Sequence, residues 1–406
     1  MNTTKEKITR VKEAILLADE KSSLKDIIFS DKVAFNGIRM LFSTNAAGAE
    51  LQVNESTKHV FSGIFSKDRL LAYSDTIHDE MEAGQSIIAY KRRALFDTNL
   101  ISRLPEYFEK KDFSSKEKVK DVLELVKTVY GGGFDYSFAM LENLREFIKD
   151  NNPNPVNKVA AAKYFDNLIR GTHKSTSNKT DTLEQYYEEA ELSWLEFRAS
   201  KYAWSLIDRR DLIYAVMLKT YCICWTSNII TIENALNELV DYCINKFDVL
   251  PLKELYFAWK VILGFSVGHF TPVFDEPQLK TPKSKSIKRI NALSWDLFIF
   301  RFLETLLTEE KGNCFYIPSI TTLDKGLLDT ISGCPLKAMI SFEHINQVET
   351  IFEDSHLFHQ CLDSSLTVKQ KNYLSDLERD IKGNIKLRHF VSLAISDSEK
   401  CLNQLL

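Results

Sequence analysis

The amino-acid sequence predicts an α/β fold with a large helical insertion and with helical additions at its N- and C-terminal ends. The prediction rests on two observations. Two apolar, strand-like runs, at residues 87–96 and from residue 314 onwards, each lead into an aspartate that is followed at once by a new apolar period of helical spacing. Between them, residues 156–280 carry a series of apolar periods that indicate helices.

Length and composition set limits on the function. The 406 residues exceed the usual size of one domain, and the net charge of -4 provides no overall basic field, so any nucleic-acid contact must come from a local patch. Seven scattered cysteines fit a reducing compartment.

The polar first ten residues lack the apolar core of a signal peptide, which predicts a cytoplasmic protein. Residues 212–232 are long enough to span a bilayer, but their many polar residues favour a buried helix and no membrane contact.

The pattern divides the chain into five sections. In chain order these are an N-terminal accessory region (1–85), the first part of the α/β core (86–150), a mostly helical insertion (151–285), the second part of the core (286–339) and a C-terminal helical region (340–406). Apolar spacing predicts helices at 5–17, 115–129 and 136–149, and a helix from residue 100 that Pro105 kinks or restarts.

Four acidic residues stand out because of where they lie. Asp97 and Asp324 follow the two predicted strands, Asp296 opens a predicted helix and Glu142 lies within one. In open α/β sheets, ligands bind at the carboxyl ends of the strands, so the two strand-end aspartates point to a site. Mg²⁺ and Mn²⁺ prefer oxygen ligands, and a few carboxylates usually hold them. We therefore expect these four acids to form a metal site.

The local contexts of these acids resemble those of PIN-domain metal-dependent nucleases. Leu95-Phe96-Asp97-Thr98-Asn99 resembles the opening motif of that family. The other three acids are also set in stretches that are similar to family motifs, and they follow in the same order: residues 137–142, 294–298 and 320–327. The resemblance covers about residues 86–150 and 286–335.

The resemblance has definite implications. It implies a PIN-like parallel sheet flanked by helices, one or two Mg²⁺ or Mn²⁺ ions, and endonucleolytic cleavage of RNA or, less often, of DNA. The catalytic and metal-binding residues would be Asp97, Glu142, Asp296 and Asp324. Thr98 and Asn99 would brace the first turn, and Thr322 and Lys325 would support the ligands or contact phosphate. The size and the additions suggest a toxin or phage-defence effector, regulated by a protein partner or by a second copy of the chain.

Each acid also has a purely structural interpretation. An aspartate between a strand and a helix is often only an N-cap, which applies to Asp97 and Asp296, and Asp324 fits a plain turn. Glu146 or Glu233 could take the place of Glu142. The competing functional classes are a non-catalytic helical interaction protein and an inactive PIN-like protein that only binds RNA.

Overall fold

A computed structural model of the chain describes residues 2–18, 23–45, 51–52, 61–83, 89–128, 131, 133–148, 152–171, 182–227, 229–268, 279–309, 314–342, 347–375 and 387–405. The chain forms two compact units. The first comprises Met1–Trp204, Phe302–Leu328 and Pro335–Phe352, and it contains both β-sheets. The second comprises Ser205–Arg301, Asp329–Cys334 and Glu353–Leu406.

Helices dominate the structure. In chain order they are α1 (Asn2–Leu17), α2 (Leu24–Ser30), α3 (Lys32–Phe35), α4 (Asp75–Glu82), α5 (Thr98–Ile101), α6 (Leu104–Phe108), α7 (Lys116–Thr128), α8 (Ser137–Ile148), α9 (Asn154–Arg170), a 3₁₀ helix (Leu183–Tyr186), α10 (Tyr187–Ala199), α11 (Lys201–Thr226), α12 (Ile232–Phe247), α13 (Leu252–Val267), α14 (Ser286–Glu309), α15 (Lys325–Gly333), α16 (Ser355–Ser365), α17 (Val368–Ser375) and α18 (Leu387–Asn403).

The strands form two sheets. They are β1 (Ile38–Thr44), β2 (Leu51–Gln52), β3 (Phe61–Gly63), β4 (Arg69–Tyr73), β5 (Ala89–Phe96), β6 (Phe134–Asp135), β7 (Cys314–Thr321), β8 (Leu336–Phe342) and β9 (Gln347–Phe352).

The four-stranded sheet is the α/β part of the protein. Its order is β3-β7-β5-β6, and β5 pairs in parallel with both β6 and β7, while β3 runs antiparallel at the edge. Phe96 lies opposite Thr321, so β5 and β7 end side by side. The prediction of an α/β fold with a strand before each of the two aspartates is thus confirmed.

Aromatic packing fixes the end of β5. The rings of Phe96 and of Phe134 in β6 stack with their centroids 4.9 Å apart, and the ring centroids of Phe134 and of Phe165 in α9 are 5.2 Å apart. Phe108 of α6 contacts Phe165 in turn, at 6.3 Å. This apolar layer anchors the strand immediately before Asp97, and aromatic pairs at such distances add to the stability gained from burial.

The second sheet corrects the prediction of helical N- and C-terminal additions, in which the runs at 33–42 and 51–53 could be short strands or pieces of helix. It is antiparallel, in the order β2-β4-β1-β8-β9, and it joins residues near both ends of the chain. Residues 340–342 and 347–352, predicted to be helical, lie in β8 and β9. Every residue of β1 and of β8 is buried, so neither strand shows the alternation of apolar and polar residues that would distinguish a strand from a buried helix.

The helix predictions for the first unit are confirmed. The predicted apolar face of α1 is real: Val11 and Ile15 are fully buried against the antiparallel sheet. Pro105 separates two short helices, since α5 ends at Ile101 and α6 begins at Leu104, with the proline in the first turn of α6, where its missing N–H is not needed. The helices α7 and α8 lie within one residue or two of their predicted bounds.

The apolar segment at 212–232 is largely part of α11, which ends at Thr226. In the described part of the chain, no helix combines the length and the apolar character that crossing a membrane requires.

Candidate metal centre

The candidate site lies where β5 and β7 end. The backbone N–H of Asp97 donates to the carbonyl of Thr321 at 3.2 Å, which extends the strand pairing by one residue. Thr322 follows on the neighbouring strand, although it is 225 residues away along the chain. The parallel register therefore brings the two predicted motifs together, as expected for strands whose carboxyl ends share one edge of a sheet.

Asp97 is both an N-cap and a buried acid. Its Oδ1 accepts from the backbone N–H of Leu100 at 2.8 Å, which caps α5, and its Oδ2 accepts from the hydroxyl of Thr322. Only 3% of Asp97 is exposed. Among the described residues, no lysine or arginine forms an ion pair with it. A buried carboxylate without a cationic partner is unusual, because removing its charge from water is costly.

The pKa of Asp97 reflects this environment. The pKa is raised from 3.8 to about 7, and burial is the largest cause of the rise. The hydrogen bonds from Thr322 and Leu100 favour the charged form and partly oppose the rise, whereas the negative charges of Glu142 and Asp324 add to it. Glu142 and Asp324 thus lie close enough to Asp97 for their charges to act on it. A bound cation would act in the opposite direction and lower the pKa of Asp97.

Asp324 is placed by its own turn and by the first motif. Its Oδ1 accepts from the backbone N–H of Gly326 at 2.8 Å, in the first turn of α15, and its Oδ2 accepts from the side-chain amide of Asn99 at 3.1 Å. The backbone N–H of Asp324 donates to the hydroxyl of Thr322 at 2.9 Å. Thr322 therefore connects the two strand-end aspartates, and Asn99 connects Asp324 to the segment that follows Asp97. Asp324 itself is exposed, as is Lys325, which begins α15.

Helix α8 provides the third acid. The carboxylate of Asp135 accepts from the N–H of Ser137 at 2.6 Å at the start of this helix. One turn later, Glu142 is half-buried, and its charge acts on Asp97. The next residue, Asn143, is buried. Its amide donates to the hydroxyl of Thr98 at 3.3 Å.

Two polar residues of this site were not predicted. They are Asn143 and Lys158 of α9, whose amino group donates to the side-chain oxygen of Asn143 at 2.9 Å. An asparagine among the apolar residues of α8, and a lysine among those of α9, were the available signals in the sequence. They bring a positive charge into contact with the residue that holds Thr98.

Asp296 differs from its prediction. It does not open a helix, because α14 begins ten residues earlier at Ser286 and continues through Asp296 to Glu309. The predicted N-cap role is therefore wrong. Asp296 also belongs to the second compact unit, whereas Asp97, Glu142 and Asp324 belong to the first. Its assignment as a metal ligand remains a prediction.

The three acids of the first unit fit a divalent cation in chemical type. They are oxygen ligands, and each carboxylate has about four lone-pair positions, so Asp97 and Asp324 can accept more than the bonds described. However, the side chains of the described residues do not form a group of three or more His, Cys, Asp or Glu that is arranged to hold one metal ion. The site therefore offers suitable donors but no closed set of ligands.

The chain was also compared with known proteins. No protein-family model, no curated protein and no solved structure matches it.

Proposed function

We propose that the chain is a metal-dependent endonuclease with a PIN-like core that hydrolyses phosphodiester bonds of RNA. The observation that carries the proposal is the buried Asp97 carboxylate, which lies at the carboxyl end of two parallel strands with Glu142 and Asp324 as neighbours. An acid in that environment gains most from a bound cation, since a cation neutralises a charge that the protein itself leaves uncompensated.

Each residue has a definite role in this proposal. Asp97, Glu142 and Asp324 hold Mg²⁺ or Mn²⁺. When bound, such an ion lowers the pKa of a water molecule and neutralises charge on the phosphate. Thr322 and Asn99 orient the two strand-end carboxylates through the hydrogen bonds described above.

The side-chain amide of Asn143 donates a hydrogen bond to the hydroxyl of Thr98, and its oxygen accepts one from the amino group of Lys158. Lys158 supplies positive charge for an anionic substrate. The choice of RNA, and a role as a toxin or phage-defence effector, rest on the family resemblance alone.

One observation favours a second candidate. Asp97 caps α5, and Asp324 accepts from Gly326 in the first turn of α15. In a non-catalytic interaction protein, both aspartates would serve only to stabilise the starts of these helices. An inactive PIN-like protein that binds RNA would keep the acids near one another and lack turnover.

A cleavage assay separates these candidates. We would incubate labelled single-stranded RNA, and DNA of the same sequence, with the wild type, Asp97→Asn and Asp31→Asn, each with Mn²⁺ or with a chelator. Asp31 is the matched control because it also caps a four-residue helix, α3, through its side chain. We expect Asp97→Asn to lower metal-dependent RNA cleavage by about a hundredfold or more, and Asp31→Asn to leave it within about twofold, as is usual for a change outside the site.

The other outcomes are equally informative. RNA binding without cleavage by the wild type would identify the inactive RNA-binding protein. A folded wild type that neither binds nor cleaves RNA would support the interaction protein. Equal cleavage by the wild type and Asp97→Asn would show that the nuclease site lies elsewhere.

A further inference from the structure

The second unit contains two cysteine thiols in close contact. The Sγ atoms of Cys222 on α11 and Cys401 on α18 are 3.0 Å apart, and both thiols are free. A disulfide bond is about 2.05 Å long, so the two sulfurs lie within about 1 Å of bonding distance. The residues are 179 positions apart in the sequence, and their contact therefore results from the fold of this unit.

Neighbouring contacts hold α18 in this position. Along the helix, three side chains close to Cys401 bind residues of α11 and α12: Glu399 accepts from Tyr214 at 2.6 Å, Ser398 and Tyr242 share a hydrogen bond at 3.3 Å, and Asp397 pairs with Lys246 at 3.3 Å. The two sulfurs therefore face each other within a packed arrangement of helices.

The two thiols differ in accessibility. Cys222 is buried, with 7% of the residue exposed, whereas Cys401 is partly exposed. Burial raises the pKa of the Cys222 thiol, and its hydrogen bond with Cys401 contributes to the rise. Because Cys401 is the more accessible of the two, it is the sulfur that an oxidant from solution reaches first.

We propose that Cys222 and Cys401 form an oxidative modification site at which hydrogen peroxide converts the pair into a reversible disulfide. In the first step the Cys401 thiolate attacks one peroxide oxygen. The O–O bond breaks, hydroxide leaves, and Cys401 becomes a sulfenic acid. In the second step the sulfur of Cys222 attacks the sulfur of the sulfenic acid, which forms the S–S bond and releases the oxygen as water with the proton of Cys222.

The overall reaction is balanced. Two thiols and one hydrogen peroxide give one disulfide and two water molecules, so the two sulfurs lose the two electrons that the peroxide gains. The disulfide would tie α18 covalently to α11. In an otherwise reducing compartment, disulfides are usually transient and report on oxidants. Because the bond closes a long stretch of chain, we expect it to raise the stability of the second unit.

Intact-mass measurement and peptide mapping of the full chain test this proposal. The wild type, Cys401→Ser and the control Cys361→Ser would be reduced, freed of reductant and treated with a small excess of hydrogen peroxide. Cys361 on α16 is also partly exposed. We expect the wild type and Cys361→Ser to lose the mass of two hydrogen atoms, to yield a peptide that joins Cys222 to Cys401, and to unfold at a higher urea concentration.

We expect Cys401→Ser to form no such peptide, and we expect dithiothreitol to restore both thiols in the wild type. The proposal would be overturned if peroxide added oxygen to Cys401 without joining it to Cys222, or if other cysteine pairs were joined as often. The mapping of the wild type decides between these outcomes even if Cys401→Ser does not fold.

Discussion

Two short helices of the first unit begin with the same cap in different surroundings. Asp31 precedes α3 and accepts from the backbone N–H of Ala34 at 3.3 Å. Asp97 precedes α5 and accepts from the backbone N–H of Leu100 at 2.8 Å. Each side chain binds the third amide of a four-residue helix. As N-caps, the two aspartates are equivalent.

Asp31 and Asp97 differ in burial and in the charge of their neighbours. Asp31 pairs with Arg10 at 2.6 Å, and 21% of its side chain is exposed. Asp97 is 3% exposed, and its charged neighbours are the acids Glu142 and Asp324. An asparagine or a serine would cap α5 without burying a charge. Capping therefore accounts for Asp31 but leaves the buried charge of Asp97 unexplained, and a bound cation would explain it.

The largest expected effect is on the pH dependence of stability. The folded protein holds a proton on Asp97 with a pKa of about 7, compared with 3.8 for the ordinary group. The stability contributed by the protonated form is therefore present below about pH 4 and is lost as the pH rises through about 7. Without metal, we expect the free energy of unfolding of the wild type, relative to Asp97→Asn, to fall by about 4 kcal/mol between about pH 4 and pH 8.

Urea denaturation in the presence of a chelator measures this difference. Asn is nearly as good an N-cap as Asp, so Asp97→Asn should fold with its cap intact. We expect the control Asp31→Asn to change stability by less than about 1 kcal/mol at either pH, the usual size of an exposed ion pair. If the free energies of unfolding of the wild type and of Asp97→Asn changed equally with pH, folding would not raise the pKa of Asp97.

A smaller effect is expected from the hydroxyl of Thr322. It donates to Asp97 and favours the charged carboxylate, so Thr322→Val should raise the pKa of Asp97 further. We expect a loss of stability of about 1 to 3 kcal/mol at about pH 8, where Asp97 is charged, and a smaller loss at about pH 5.

Thr321→Val is the matched control for this effect, since the hydroxyl of Thr321 donates to the uncharged carbonyl of Leu95 at 2.7 Å. Its loss should not depend on pH. Equal losses of stability for both variants at both pH values would show that the hydroxyl of Thr322 does not favour the charged form of Asp97.

The smallest effect is expected at Gly326. A Cβ atom at this position would lie 3.2 Å from Oδ1 of Asp324, so Gly326→Ala should displace that oxygen. Alanine favours a helix over glycine by up to about 1 kcal/mol, so stability should hardly fall. We expect Mn²⁺ affinity to drop by about tenfold, the lower end for residues that orient metal ligands. Ser332→Ala, at an exposed position of the same helix, is the control, and an unchanged affinity for Gly326→Ala would remove Asp324 from the proposed ligands.

The sequence predicted the strand ends well for a physical reason. Asp97 and Asp324 each follow a strand and precede a helix, and this local pattern remains visible although the two acids are 227 positions apart in number. The parallel register then brings them together. Local patterns could not reveal the antiparallel sheet, because β1 and β8 are buried on both faces and carry no alternation.

The remaining differences have two separate causes. The polar first turns of α14 concealed its start at Ser286, which made Asp296 look like a cap. Asn143 and Lys158 lie on different helices, and only the packing of α8 and α9 brings them into contact near Thr98.

Calorimetric titration of Mn²⁺ tests whether Asp97 helps to hold a divalent cation. The wild type, Asp97→Asn and Asp31→Asn would be titrated at about pH 7 in two buffers that differ in ionisation enthalpy. Because the pKa of Asp97 is about 7, we expect Mn²⁺ to displace a proton from part of the wild-type molecules. Asp31→Asn should behave like the wild type, whereas Asp97→Asn should bind at least about tenfold more weakly and release no proton. Equal binding by the wild type and Asp97→Asn, or no binding to the folded wild type, would contradict the claim and leave Asp97 as a helix cap.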